Sequence, residues 1–134
     1  MYGVETLVHP DYQGYGIGGL LMERRFECAR QLNLRGIVGG SLIKDYHKVA
    51  DRFTPEAYVA ELVAGRLFDS NLSKQIKKGF KPLTTTPDYT EYPGSLNYAI
   101  AIVWDNPAYR APEPKIIPFP DAESLRAGGS SIAL

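Results

Sequence analysis

Hydrophobic and polar positions alternate between strand-like and helix-like periods along the first hundred residues. The β-branched and apolar residues at 2–8 predict a strand, and apolar residues at helical spacing over 17–34 predict a helix. Gly36 closes that helix, and the short apolar run that follows to Ile43 predicts a buried second strand. A strand, a helix and a strand in this order indicate a βαβ crossover with a parallel strand pair.

The apolar positions of the first helix form a broad stripe, which we expect to face the sheet. The stripe contains Ile17, Leu21, Cys28 and Leu32, widened by Met22, Phe26 and Ala29. Cys28 is the only cysteine, so the chain cannot form an internal disulfide. We expect this cysteine to be a buried small hydrophobe rather than a nucleophile.

The second strand contains glycines at 39 and 40, which weaken a strand and mark a place where a ligand or another part of the chain approaches closely. Further along, Thr54 followed by proline and glutamate predicts a helix start, and Gly65 ends that helix. A second short helix is predicted from 69 to Gly79.

The remaining ordered elements are two predicted strands, at 80–86 and 96–104, joined by a turn-rich loop. Beyond them, prolines recur at 107, 112, 114, 118 and 120, and a Gly-Gly-Ser-Ser run lies near the end. A chain of 134 residues suits one domain with a core. We therefore predict a domain at 1–109 and a linker-like tail at 110–134.

The amino-acid composition indicates which classes of binding partner the chain does not favour. Fifteen basic and fifteen acidic residues give a formal net charge of zero, which does not favour nucleic acid or an anionic membrane surface. No apolar run approaches the roughly 20 residues of a membrane span, and no signal peptide is visible. Histidines, cysteine and carboxylates show no metal-ligand spacing. We expect a cytoplasmic protein with no metal, nucleic-acid or membrane partner.

The most informative segment runs from Val8 to Gly19 and reads Val-His-Pro-Asp-Tyr-Gln-Gly-Tyr-Gly-Ile-Gly-Gly. It predicts a strand end, a glycine-rich turn and a helix start in direct succession. Such a turn presents unpaired backbone N–H groups at the positive end of a helix dipole, an arrangement that binds phosphate or pyrophosphate. Glycines let the main chain approach the anion without a Cβ in the way.

This turn resembles the pyrophosphate loop of the GNAT acyltransferase superfamily, written [Gln/Arg]-x-x-Gly-x-[Gly/Ala]. Gln13, Gly16 and Gly18 stand at the three defined positions, and Lys78-Gly79-Phe80 matches the Gly-Phe that opens the sixth strand of the family. The resemblance covers 2–104. More loosely, 46–107 is similar to the variant found fused ahead of a nitrilase-type amidohydrolase.

The resemblance implies an α/β (α+β) fold with a central mixed sheet and flanking helices. It is an incomplete GNAT acyl-CoA N-acyltransferase fold, which starts at the fourth strand and lacks the first three. A sheet cut there leaves an open edge, which proteins normally pair or cover. We therefore expect a homodimer or a partner chain that completes the sheet.

The resemblance also implies an acetyl-CoA site. The pantetheine arm is expected along the main chain of Leu7 and Val8, with the thioester in the gap between the strands at 2–8 and 37–43. Asn71 lies where the fourth family helix often contacts CoA, and helix capping is an equal interpretation. The pyrophosphate is expected on the backbone amides of Gln13, Gly14, Tyr15, Gly16, Ile17 and Gly18.

The family reaction is direct attack of a primary amine, on a small molecule or a peptide, on the thioester carbonyl. Glu5 is the candidate general base, although an exposed strand-edge role is the simpler interpretation. The residue that protonates the thiolate is often a tyrosine five positions before the phenylalanine of Gly-Phe, where this chain has Gln75. Tyr46 and Tyr58 are alternatives by residue type only; otherwise water serves, or the chain does no chemistry.

Several other residues have two interpretations. We expect His9 to be a turn residue and His47 a surface loop residue rather than catalytic bases. Tyr89, Tyr92 and Tyr98 are either acceptor-pocket residues or ordinary core and rim residues. Three function classes therefore stay open: an N-acetyltransferase, a catalytically inactive CoA-binding or structural module, and an unrelated nucleotide-binding α/β domain.

Overall fold

The computed structural model describes residues 1–3 and 6–123. They form a four-stranded mixed sheet in the order β1-β2-β4-β3, with three α-helices. The strands are β1 (Tyr2–Gly3), β2 (Gly36–Leu42), β3 (Lys81–Thr86) and β4 (Ala99–Asp105), and the helices are α1 (Ile17–Gln31), α2 (Pro55–Val63) and α3 (Leu72–Lys77). Short 3-10 turns lie at Pro10–Tyr12, Tyr46–Lys48 and Pro93–Ser95.

The predicted parallel pair is confirmed. Strand β1 runs parallel to β2, with Tyr2 opposite Val38 and Gly3 opposite Gly39, and α1 connects the two strands. Strand β4 pairs antiparallel with both β2 and β3, so the last strand is inserted between them. The sheet is therefore mixed, as predicted.

Two strand boundaries were predicted wrongly. In the described part of 2–8, only Tyr2–Gly3 is strand, and 6–8 has no regular structure. The carbonyl of Val8 instead accepts a hydrogen bond from the Gln13 side chain, which ties it to the following loop. Strand β4 begins at Ala99 rather than 96, because Leu96 and Asn97 have positive φ angles of 52° and 66° and cannot continue a strand.

The predicted buried stripe of α1 was wrong in part. Leu32 is 62% exposed and Cys28 is exposed, whereas Phe26 and Ala29 are buried. The reason is aromatic packing: Phe26 stacks on Trp104 with ring centroids 4.4 Å apart. Successive residues of an α-helix are rotated by about 100°, so the inward position of Phe26 turns Cys28 to the far side of the helix.

The start of α2 agrees with its sequence signal. The Thr54 hydroxyl accepts a hydrogen bond from the Ala57 amide, and Pro55 occupies the first helical position. The shorter α3 is capped differently, since the buried Asp69 carboxylate accepts hydrogen bonds from the Asn71 and Leu72 amides. Because this carboxylate binds those two amides, α3 begins at Leu72, three residues after the predicted start at 69.

One face of the sheet carries the core. Partners directly opposite in antiparallel strands share a face, which places Ile37 with Trp104 and Ser41 with Ile100. The helices α1 and α3 cover that face, and the core cluster consists of Phe26, Ala29, Ile37, Ile43, Tyr46, Tyr58, Leu62, Leu72, Phe80, Ile100, Ile102 and Trp104. Val38 lies on the opposite face of the sheet and is 44% exposed. No described helix covers that face at Val38.

Beyond β4 the chain runs at the surface. Residues 110–121 contain no helix or strand and are exposed, and the predicted tail from 124 onward lies outside the described residues. Within the described part of the chain, no helix combines the length and the apolar character needed to cross a membrane.

Candidate functional site

The loop that precedes α1, residues 13–19, is called the glycine loop below. Gly14 and Gly16 have φ angles of +83° and +77°, a conformation that disfavours other residues. A Cβ added at either glycine, or at Gly18, would meet no atom within 4 Å. Because the first-turn N–H groups of a helix have no intrahelical acceptor, the loop offers free donors to open space.

A cleft of about 880 Å³ lies between the glycine loop and α3, and four lysines line it. No aspartate or glutamate stands among its described lining residues. Lys78 Nζ lies 2.8 Å from Glu23 Oε1 outside the cleft, and this hydrogen bond holds the pKa of Glu23 below its ordinary value. Lys44, Lys74 and Lys77 have no carboxylate partner within the described ranges. This lysine cleft is therefore suited to a polyanion.

A second cavity, of about 370 Å³, lies beside β1 and β2 and is lined by residues of both strands, among them Gly3 and Gly39. Among the described residues, pairing of the two strands ends at Gly3 opposite Gly39. Leu7, Val38 and Gly40 line this strand-gap cavity. It adjoins the lysine cleft, because both are lined by Met22, Lys44, Asn71 and Gln75.

A polar cluster stands at the junction of the two spaces. The Ser41 hydroxyl donates a hydrogen bond to Gln75 Oε1. Asn71 Nδ2 donates to Ser41 Oγ at 3.2 Å and to the Leu42 carbonyl at 2.9 Å. The Asn71 side chain thus makes no capping bond to α3 and instead joins that helix to β2 at the site.

The two tyrosines named as alternative acids lie elsewhere. Tyr46 Oη donates to the Phe53 carbonyl at 2.6 Å, and Tyr58 Oη donates to Asp69 Oδ2 at 3.0 Å. Burial raises the pKa of both phenols above their ordinary value. Neither side chain lines the lysine cleft or the strand-gap cavity, so the structure rejects both candidates.

Of the three tyrosines predicted as acceptor-pocket or rim residues, Tyr89 lines the strand-gap cavity. An ideal Cβ on Gly40 would lie 2.7 Å from Tyr89 Oη, so the phenol rests directly on that glycine. Tyr89 Oη also shares a hydrogen bond of 3.2 Å with Tyr2 Oη, which is the main reason that the pKa of Tyr89 is raised. Tyr98 packs edge-on against Tyr46, away from the cavity.

The sequence held one signal for this contact: the glycines inside β2 predicted a close approach. It could not identify the approaching group, because Tyr89 lies 49 positions after Gly40 in the sequence. Arg25 was not predicted in the site either. It lines the strand-gap cavity, with its Nη1 3.6 Å from an ideal Cβ on Gly3.

The other predicted site residues divide into three groups. Val8, Gln13, Gly14, Gly16, Ile17, Gly18 and Asn71 line the lysine cleft, and Leu7 lines the strand-gap cavity. Tyr15 is 78% exposed and its side chain lines neither. Glu5 lies outside the described residues.

Both histidines form hydrogen bonds with backbone groups. His9 Nδ1 accepts a hydrogen bond from the Asp11 amide at 3.2 Å, within the turn before the glycine loop. His47 Nδ1 lies 2.9 Å from the Gly94 carbonyl, which accepts its hydrogen bond. Over residues 1–3 and 6–123, no group of three histidine, cysteine or carboxylate side chains is placed to hold a metal ion.

Comparison with known proteins gives two relatives in Bacillus subtilis (strain 168), while no family model matches. The chain is 38% identical over 110 residues to "Probable hydrolase YhcX", covering 81% of this chain and 21% of that protein. It is 33% identical over 110 residues to "Uncharacterized N-acetyltransferase YkwB", covering 82% of this chain and 49% of that protein. The chain therefore spans about half or less of the length of these relatives.

A solved structure shares the fold. "GphF GNAT-like decarboxylase in complex with isobutyryl-CoA" matches with a TM-score of 0.61 and 22% identity. The match covers 74% of this chain and 52% of that one.

Proposed function

Because the chain belongs to the GNAT superfamily, we propose that it binds acetyl-CoA and transfers the acetyl group to a primary amine by direct attack. The fold is a partial GNAT fold, as its sequence predicted. The observation that carries the proposal is the position of Asn71 and Gln75, which line both the lysine cleft beside the glycine loop and the strand-gap cavity.

The charged end of CoA suits the outer part of this path. Its diphosphate would accept hydrogen bonds from the backbone N–H groups of the glycine loop, from Gln13 to Gly18, at the N-terminus of α1. Lys74 and Lys77 supply positive charge on the opposite wall. A solved relative of the same fold is described as a complex with isobutyryl-CoA, which supports a CoA-type ligand.

The pantetheine arm would continue beside Leu7 and Val8, whose main chain is free of strand pairing in the structure. Asn71, fixed by Ser41 and the Leu42 carbonyl, would border the arm at the junction. The thioester would then lie in the strand-gap cavity. An amine attacks the thioester carbon there, the C–N bond forms, the C–S bond breaks, and the amine proton passes to a base or to water.

Glu5 is our candidate for that base. Its place in the sequence, between Gly3 on β1 and Leu7 on the cavity wall, supports the assignment. Gln75 cannot donate a proton at neutral pH, so the thiolate needs another acid.

The second candidate function is a catalytically inactive CoA-binding or structural module. One observation favours it: Gln75 occupies the position of the family acid, and glutamine cannot donate a proton at neutral pH. The two functions share the binding site and differ in turnover. A thiol-release assay with acetyl-CoA and a panel of small amines and peptides separates them. Release of CoA above the uncatalysed rate supports the transferase, and binding without release supports the module.

We further propose a cytoplasmic protein that pairs with a second copy or a partner chain, with 110–134 as a linker. The partly apolar sheet face at Val38, which is 44% exposed, supports the pairing, because proteins normally cover an exposed apolar face. Light scattering over a wide concentration range tests it, and a stable monomer throughout would exclude the homodimer.

A further inference from the structure

We propose that Tyr89 is the residue that protonates the departing CoA thiolate, in place of the tyrosine that is absent at position 75. This inference rests on the proposed function, since it assigns a role within the same site. No sequence motif marks Tyr89, which lies in the loop between β3 and β4.

The position of Tyr89 relative to the sheet is the first argument. Ser41 and Gln75 lie on the helix-covered face of β2, and Gly40, one residue earlier, points to the opposite face. The Tyr89 phenol rests on Gly40, one residue beyond the last described pair of β1 and β2, Gly3 opposite Gly39. A ligand arm that enters the strand-gap cavity from the lysine cleft therefore meets the phenol on the cavity wall.

Elimination is the second argument. Arg25 and Lys44 are the other titratable side chains among the described residues that line the strand-gap cavity. A guanidinium does not give up its proton in proteins, and threonine hydroxyls such as Thr90 are far weaker acids than a phenol. Lys44 stands at the junction, with Nζ 6.0 Å from the centre of the Tyr92 ring. It is the competing donor that an experiment must separate.

The contact between Tyr2 and Tyr89 is the third argument. The two phenol oxygens are 3.2 Å apart, and Tyr2 is 58% exposed. When the C–S bond breaks, its electron pair stays on sulfur and the thiolate takes the Tyr89 proton. Tyr2 then returns a proton to the Tyr89 phenolate and is itself reprotonated by water. Amide and CoA thiol are the products, and both tyrosines are regenerated.

The test uses bound CoA and needs no acceptor amine. The ultraviolet absorbance of the thiolate reports the titration of CoA bound to the wild-type chain, to Tyr89→Phe, and to the same-loop control Tyr92→Phe. A phenol that donates to sulfur favours the thiolate, so Tyr89→Phe is expected to raise the pKa of the bound thiol by about one unit, a tenfold change. Tyr92→Phe is expected to leave it at the wild-type value.

Each other outcome overturns the assignment. If CoA binds and Tyr89→Phe does not move the thiol titration, Tyr89 does not contact sulfur. If Lys44→Gln moves it and Tyr89→Phe does not, the ammonium is the donor. If the wild-type chain binds no CoA, the proposed function fails and this inference fails with it. In a turnover assay, Tyr89→Phe should lower CoA release more than tenfold and Gln75→Tyr should partly restore it.

Discussion

The Ser41 hydroxyl on β2 donates a hydrogen bond to the side-chain carbonyl of Gln75 on α3. Ser41 is 1% exposed, so this bond is buried rather than in contact with solvent. Gln75 thus replaces the expected acid and also links α3 to β2 by a hydrogen bond. A change at this position acts on stability as well as on chemistry.

We expect Gln75→Leu and Ser41→Ala each to lower the free energy of unfolding by about 1–2 kcal/mol, because each leaves a buried polar partner unsatisfied. The double variant should lose less than the sum of the two, since both changes remove the same bond. Urea denaturation of the four proteins measures the coupling. Strictly additive losses would show that the two side chains do not depend on each other.

Two glycines of β2 should differ sharply in their tolerance of alanine. At Gly36 a Cβ would lie 2.1 Å from the Trp104 backbone oxygen, so the β2–β4 pairing must open, at a cost above about 3 kcal/mol. At Gly40 the obstacle is the end of the Tyr89 side chain, which is 43% exposed and can rotate away. We expect Gly40→Ala to cost less than about 1 kcal/mol. Equal losses in chemical denaturation would show that the Tyr89 side chain cannot move aside at Gly40.

The decrease in the free energy of unfolding at acidic pH should depend on Asp45. The Ser70 amide donates to its carboxylate at 2.7 Å and Lys48 lies 3.3 Å away, which together hold the pKa of Asp45 below its ordinary value. The charged form is therefore favoured by folding. Its stabilisation is complete above the unfolded pKa of about 4 and is lost as the pH falls through the lower, folded pKa.

Asp45→Asn should accordingly reduce the unfolding free energy at pH 7, and its difference from wild type should shrink once the pH drops below about 4. Denaturation curves at pH 7 and pH 3 measure this change. The exposed Asp51 provides the control, since Asp51→Asn should alter neither curve by much. A wild-type advantage of equal size at both pH values would exclude a charge effect at Asp45.

Local sequence signals predicted the elements that depend on local chemistry. The Thr54 cap, the parallel pair around α1 and the glycine loop all follow from residues close together in the chain. The buried side of α1 did not, because a contact 78 positions away, Phe26 with Trp104, decides how the helix is rotated. Helical periodicity alone placed Cys28 and Leu32 in the same buried stripe as Phe26 and Ala29.

The same distinction applies to the site. The glycine loop is a contiguous motif, so the sequence alone named its residues, and most of them line the cleft, whereas Tyr15 is exposed outside it. That they bind a pyrophosphate stays a prediction. The lysine cleft and the Tyr89–Gly40 contact bring together segments remote in sequence. No pattern within either segment indicates its partner, and only the topology that inserts β4 between β2 and β3 places the loop carrying Tyr89 over β2.

Two matched glycines test whether the glycine loop binds the phosphates of an acyl-CoA. Gly16 and Gly65 have φ angles of +77° and +76°, and a side chain at either meets no atom within 4 Å. Glutamate therefore imposes a similar backbone strain at both positions, of order 1–2 kcal/mol. Only the glutamate at position 16 adds a negative charge beside the lysine cleft, where the phosphates would lie.

The most direct measurement is calorimetric titration of acetyl-CoA into the wild-type chain, Gly16→Glu and Gly65→Glu. We expect the wild type and Gly65→Glu to bind with similar affinity, and Gly16→Glu to lose binding by at least about a hundredfold, the scale of one unfavourable charge contact in a phosphate site. Wild-type binding that Gly16→Glu leaves intact would place the ligand elsewhere. No binding to the wild-type chain would contradict the acyl-CoA site altogether.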